Sequence, residues 1–110
     1  MQIMYKFMED LKHVVEKLVK KKEFDKAIDL LSEELKKEPD HPQLLELRGD
    51  VYYTQEKFGN ALNDFNKILK LDDKNTKVLS KAVMTKQILR FQNLDIYETT
   101  NLNLDPWLDD

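Results

Sequence analysis

Glu23-Phe24-Asp25-Lys26-Ala27-Ile28 returns as Lys57-Phe58-Gly59-Asn60-Ala61-Leu62, and Phe58 follows Phe24, as Ala61 follows Ala27, at an interval of 34 residues. Self-similarity at a fixed period of about 20–50 residues marks a chain built from stacked supersecondary units. In both copies apolar residues continue at spacings of three and four, as Ala27, Ile28, Leu31 and Leu35 and as Ala61, Leu62 and Phe65. That spacing belongs to an amphipathic helix and not to a strand. The echo therefore predicts an all-α fold of helical hairpins.

Outward from the first copy, Ile3, Met4, Phe7, Met8, Leu11, Val14, Val15 and Leu18 give a preceding helix with one dry face. Lys20, Lys21 and Lys22 close it with cations at the carbonyl end, where the helix dipole favours them, and read as a solvated helix end. A second helix is expected over 24–37, stopped by Pro39 and Pro42. The third starts at Pro42, with Asp40 or His41 at the cap, and reaches about Gln55. A fourth follows over 58–71, and a fifth is capped by Asn75 or Thr76 and reaches about Phe91. Beyond Asn93 the helical period fades, and residues 98–110, with Pro106, read as an extended tail.

The chain has 110 residues, 18 Lys+Arg against 21 Asp+Glu, a net charge of −3 and 41% hydrophobic residues, enough for one small core. This balance offers no field for a polyanion, so nucleic acid is not an expected partner. With no cysteine, disulfides, thiolate metal sites and cysteine nucleophiles are excluded, and a reducing, cytoplasmic location is the expectation. The apolar start, Met1 to Met8, lacks a signal-peptide pattern because Lys6, Glu9 and Asp10 interrupt it. No run approaches the roughly 18 apolar residues of a membrane span, so no membrane partner is expected.

Residues 42–75 resemble the tetratricopeptide repeat, with Leu45, Gly49, Tyr52, Phe58, Ala61 and Phe65 at its signature positions. Residues 8–41 match in the same register through Leu11, Leu18, Phe24, Ala27, Leu31 and Pro39, but Val15 stands at the small position. Residues 76–93 resemble the first helix of a third copy, with Leu79, Ala82 and Val83 in register and Lys86 in place of the aromatic. The resemblance implies a right-handed helical-hairpin solenoid of two full repeats and a capping fifth helix. One domain is then expected over 1–97 and the tail over 98–110. Gly49 and Ala61 would let two helix backbones approach closely, and Val15 would spread the first hairpin.

The family's first helices line a concave groove that holds peptides, which makes the module a non-catalytic protein-interaction scaffold with a protein or peptide partner. Carried over, the groove residues are Lys12, Glu16, Gln43, Glu46, Asp50, Tyr53, Lys77, Lys81, Met84 and Ile88, with Glu9, Lys20, Thr54 and Ser80 beside them. Tyr53 and Met84 would anchor apolar groups, and Glu46, Asp50, Lys77 and Lys81 would set direction. A narrower resemblance is the carboxylate clamp of chaperone adaptors. Lys12, Lys77 and Lys81 stand at its basic positions, but Glu16 and Leu47 replace its asparagines. A self-associating assembly module is the alternative, with a homodimer formed through the last helix and tail.

Around the fifth helix, Val78, Leu79, Ala82, Val83 and Leu89 cluster on one side and Met84, Ile88 and Phe91 on the other, at about 100° per residue. The first cluster is expected to pack on the repeats and the second to need a cover. The tail offers Leu102, Leu104, Trp107 and Leu108, which are expected to fold over Met84, Ile88 and Phe91 in the same chain or in a partner subunit. Asp105-Pro106-Trp107 also resembles the Asp-Pro-Trp peptides of endocytic adaptors. Catalysis has little to work with. His13 lies between Glu9 and Glu16 on one face, an ion-pair stripe more readily than a metal site, and Ser32 and Ser80 lack activating partners. No cofactor, metal or enzymatic activity is expected.

Overall fold

The computed structural model describes the backbone of residues 2–97 and the side-chain surroundings of residues 7–92. Five α-helices follow one another: α1 (Gln2–Lys20), α2 (Phe24–Lys37), α3 (Pro42–Thr54), α4 (Phe58–Leu71) and α5 (Thr76–Tyr97). No strand occurs among the described residues. α2, α3 and α4 lie where the apolar spacing and prolines place them. α5 runs past its expected end near Phe91 to Tyr97. Fading periodicity is a weak stop signal, and no glycine or proline follows Asn93 until Pro106. The tail, with Leu102, Leu104, Trp107 and Leu108, lies outside the described residues.

The turns repeat as the helices do. Lys22 and Glu56, 34 residues apart, are the two non-glycine residues with positive φ among the described residues, at 61° and 64°. Each ends a helix in the same way. The Lys22 and Glu23 amides donate to the Val19 and Leu18 carbonyls, and those of Glu56 and Lys57 donate to the Tyr53 and Tyr52 carbonyls. These paired bonds satisfy carbonyls that a helix end otherwise leaves open. The other two connections also correspond. His41 caps α3 by accepting the Leu44 amide on Nδ1 at 3.5 Å, and Asn75 caps α5 by accepting the Val78 amide on Oδ1 at 3.1 Å.

Each helix packs chiefly on its neighbours in sequence. One apolar cluster runs through them, from Leu11 and Val15 through Leu31, Leu45 and Phe65 to Val78 and Ala82. Burying a Leu, Val or Phe in this way is worth about 1.5–3 kcal/mol. Gly49 makes its contribution by having no side chain. A Cβ there would stand 2.6 Å from Cε1 of Phe65, so the Phe65 ring fills the space that a larger residue would take. Val15 and Ala27 are both buried, and α1 on α2 is the least extensive of the four sequential contacts.

Residues 34 apart show how packing changes along the chain. Leu44 and Val78 are both buried, as are Val51 and Thr85. Leu45 is fully buried, whereas its counterpart Leu79 is 45% exposed. Gly49 is buried beneath Phe65, whereas Val83 is 48% exposed. The expectation that Leu79 and Val83 pack on the preceding helices is thus corrected. The buried face of α5 runs through Val78, Ala82, Thr85 and the half-buried Leu89, at spacings of four, three and four. Leu79 and Val83 point to one side of that stripe, on a surface that α4 covers in the case of α3. Thr85 is tolerated inside because its hydroxyl donates to the Lys81 carbonyl at 2.7 Å.

Candidate functional site

α3 stands between α1 and α5 on one side of the molecule, and clefts open along both of its flanks. Between α1 and α3, Met8, Glu9, Lys12, Gln43, Glu46, Leu47, Asp50 and Lys77 line one cleft. A second continues from it past Val15, Glu16, Val19, Lys20, Val51 and Thr54. Between α3 and α5, Asp50, Tyr53, Phe65, Ser80, Lys81 and Met84 form a third, mostly apolar one. The expected groove residues Lys12, Glu16, Gln43, Glu46, Asp50, Tyr53, Lys77, Lys81 and Met84 thus fall on connected clefts. Ile88 is half-buried and stands outside them.

Tyr53 and Met84 meet directly. The tyrosine hydroxyl donates to the methionine sulfur at 3.4 Å, and its ring stands edge-on to Phe58 at 5.2 Å between centroids. The tyrosine is therefore held in place before anything binds. Met84 is 55% exposed and forms the open side of the patch. An unbranched thioether there can adjust to an apolar group of irregular shape.

The charges expected to set direction, Glu46, Asp50, Lys77 and Lys81, are paired with one another across these flanks. Lys81 reaches across from α5 to Glu46 at 2.6 Å and to Asp50 at 2.9 Å, and Lys77 lies 3.3 Å from Glu46. Burial acts to raise the Glu46 carboxyl, but the hydrogen bond and charge of Lys81, aided by Lys77, hold it below its ordinary value. Asp50 moves the other way. Burial, with the neighbouring Glu46 charge, pushes it up despite Lys81. Burial would lower Lys81, yet its two carboxylates outweigh this and raise it. Its ammonium also lies 5.9 Å from the Phe65 ring centroid. Lys81 is thus occupied, which weakens the carboxylate-clamp reading. Lys12 makes no ion pair among the described residues.

A broader depression lies elsewhere, around Arg48, Asn63, Asp64, Asn66 and Lys67. Its floor is a completed network. Arg48 donates from Nε and Nη2 to the two Asp64 carboxylate oxygens, each at 2.8 Å, and from Nη1 to the Ser32 hydroxyl at 3.1 Å. Asp64 hydrogen bonding, set against burial, raises the Arg48 guanidinium further. The sequence reading passed over Arg48 and Asp64. The available signal was their position, each among apolar residues on a buried helix face. His13 lies 3.8 Å from Glu16 in an exposed contact, and no cluster able to hold a metal ion occurs among the described residues. No helix there is long and apolar enough to cross a membrane. Neither a protein-family model nor a curated protein matches the chain.

Proposed function

We propose that the chain is a small tetratricopeptide-like module, a helical-hairpin solenoid that binds a peptide or helix of a partner protein and catalyses no reaction. The observation that carries this reading is the preset Tyr53–Met84 patch beside a rim of charges already paired within the module. The hairpin turns at Lys22 and Glu56 and the helix caps at His41 and Asn75, each pair 34 residues apart, support the repeat reading. Because Lys77 and Lys81 offset Glu46 and Asp50, little net charge remains to attract a strongly charged peptide. Affinity would come from an apolar side chain entering between Tyr53 and Met84, and direction from hydrogen bonds to Gln43, Asp50 and Ser80. A cytoplasmic location belongs to the same reading.

Panning a random peptide library against the full chain tests it. Selected peptides should share an apolar anchor, and Met84→Glu, at an exposed position, should weaken them about tenfold or more, which is 1.4 kcal/mol or more. Lys67→Glu, in the other depression, should leave them unchanged. Peptides indifferent to Met84→Glu, or the absence of any selected sequence, would overturn the reading.

A further inference from the structure

Leu79, Val83, Lys86 and Arg90 recur at spacings of four, three and four, so they form one stripe along α5. Its apolar half is about half exposed, whereas on α3 the matching Leu45 is fully buried and the matching Gly49 lies against Phe65 of α4. We propose that residues 98–110 of the same chain run back along this stripe as an extended strap. The correspondence between Leu45 and Leu79 rests on the repeat reading above, but the proposal does not require that any peptide bind between Tyr53 and Met84.

Four features select this occupant and its extended form. The first is steric: α4 approaches α3 with the Phe65 ring in the space left by Gly49, and Val83 fills the corresponding space on α5. A second helix cannot approach as closely over a β-branched side chain, whereas a thinner extended segment can. The second is composition, because residues 98–110 lack a helical period and contain Pro106. The third is reach. From Tyr97 back to Leu79 is 18 residues of helix, or about 27 Å at 1.5 Å per residue. Trp107 lies ten residues beyond Tyr97, about 33 Å of extended chain, which covers that distance and leaves length for the reversal. Leu104, seven residues on, spans about 23 Å and comes level with Val83. The fourth is charge. Residues 98–110 carry Glu98, Asp105, Asp109 and Asp110 and no Lys or Arg, and the stripe ends in the exposed cation of Arg90.

This placement differs from the sequence expectation, which put the tail over Met84, Ile88 and Phe91. On that side Ile88 is half-buried and Met84 is engaged by Tyr53, while Phe91 stays 69% exposed, so burial does not choose between the two sides and the stripe is selected by its form, reach and charge. A strap on the stripe leaves the Tyr53–Met84 patch open.

Trp107 is the single tryptophan, so its fluorescence reports on the tail alone. In the full chain its emission should be blue-shifted, protected from acrylamide and independent of protein concentration. Leu79→Glu and Val83→Glu should each return it towards that of free indole while far-ultraviolet circular dichroism stays helical. Both positions are about half exposed, so either variant should fold. Arg90→Glu should shift it in the same direction, and Met84→Glu should not. Emission like free indole in the wild-type chain would overturn the proposal, as would a blue shift lost only in Met84→Glu. A blue shift that disappears on dilution would overturn it too, by assigning the stripe to the tail of a second copy. None of these outcomes depends on peptide selection, so the strap and the groove can fail separately.

Discussion

α3 carries two sets of charges on nearly opposite faces, and they differ in what surrounds them. On one face Arg48 grips Asp64 and Ser32 where α2, α3 and α4 come together, with 4% of the Asp64 side chain exposed. On the other, Glu46 and Asp50 hold Lys81 of α5 at the edge of an open cleft, with 44% of the Asp50 side chain exposed. The hydrogen-bond distances are alike, so geometry alone does not separate them. Burial does. A buried charge deprived of its partner cannot recover its hydration, while an exposed one largely can. The first set therefore fixes how three helices sit, and the second tunes how α5 sits on α3.

The comparison breaks most sharply at Asp64. Asp64→Ala leaves the Arg48 guanidinium, 20% exposed at the floor of the depression, without its carboxylate, and should cost about 1.5–3 kcal/mol in a urea titration. Replacing both partners, as Arg48→Met with Asp64→Leu, should recover most of that loss. The residues 34 before and after Arg48 are Val14 and Ala82, so the position accepts apolar side chains in the other copies. A loss below about 1 kcal/mol for Asp64→Ala would mean that the network is hydrated and no different from the Lys81 set.

A smaller effect is expected where α3 meets α4 without charge. Gly49→Ala gains about 1 kcal/mol of helix propensity but drives a methyl group into the Phe65 ring, which costs about 1–3 kcal/mol. The net change should be a loss of about 1 kcal/mol. Adding Phe65→Leu should lessen the penalty of the alanine, because the ring is what the new Cβ meets. Strict additivity of the two substitutions would show that some other contact sets the cost.

The residues bear out unequal parts of the sequence reading. The limits of α2, α3 and α4 were legible because Phe24, Pro42 and Phe58 begin them, and because apolar spacing persists to Leu35 and Ile68. The end of α5 was less so, since no glycine or proline follows Asn93 before Pro106. Lys22 and Glu56 were invisible as left-handed helix ends because neither is the glycine or asparagine that usually signals one. At the site, the resemblance placed Tyr53 and Met84 among the groove residues. It could not show that Lys81 spends its charge on Glu46 and Asp50, which needs the α3–α5 distance and not only the repeat. Leu79 and Val83 were misplaced for a related reason: a period of 3.6 gathers residues into a sector without fixing which edge of that sector the neighbouring helix covers.

Lys81→Met tests the second set directly. It removes one ammonium from two carboxylates, 21% and 44% exposed, at the edge of an open cleft, so the expected loss is about 1 kcal/mol, smaller than at Asp64 and further reduced in high salt. Loosening of α5 should accompany it, seen as faster amide exchange in α5 than in α2. Equal exchange changes in both helices would mean that Lys81 acts on the fold as a whole.

The finest distinction lies inside that set, between Glu46 and Asp50. Glu46 has its folded pKa below the ordinary value of 4.5, so its contribution to stability is present above that value and lost as pH falls through the folded pKa. Asp50 has its folded pKa above 3.8, so the sign is reversed: its contribution is present below 3.8 and lost as pH rises through the folded pKa. On acidification the protein loses the support of Glu46 while protonation of Asp50 gives part of it back. Asp50→Asn removes only the second process. Its stability should therefore fall more steeply than that of the wild type between about pH 5 and pH 3, by a fraction of a kcal/mol. Glu46→Gln should flatten the same limb. Thermal melts followed by circular dichroism across that range supply the comparison, with the other carboxylates common to all three proteins. Superimposable wild-type and Asp50→Asn curves would mean that Asp50 is as free to ionise in the fold as outside it, and that the Lys81 bridge rests on Glu46 alone.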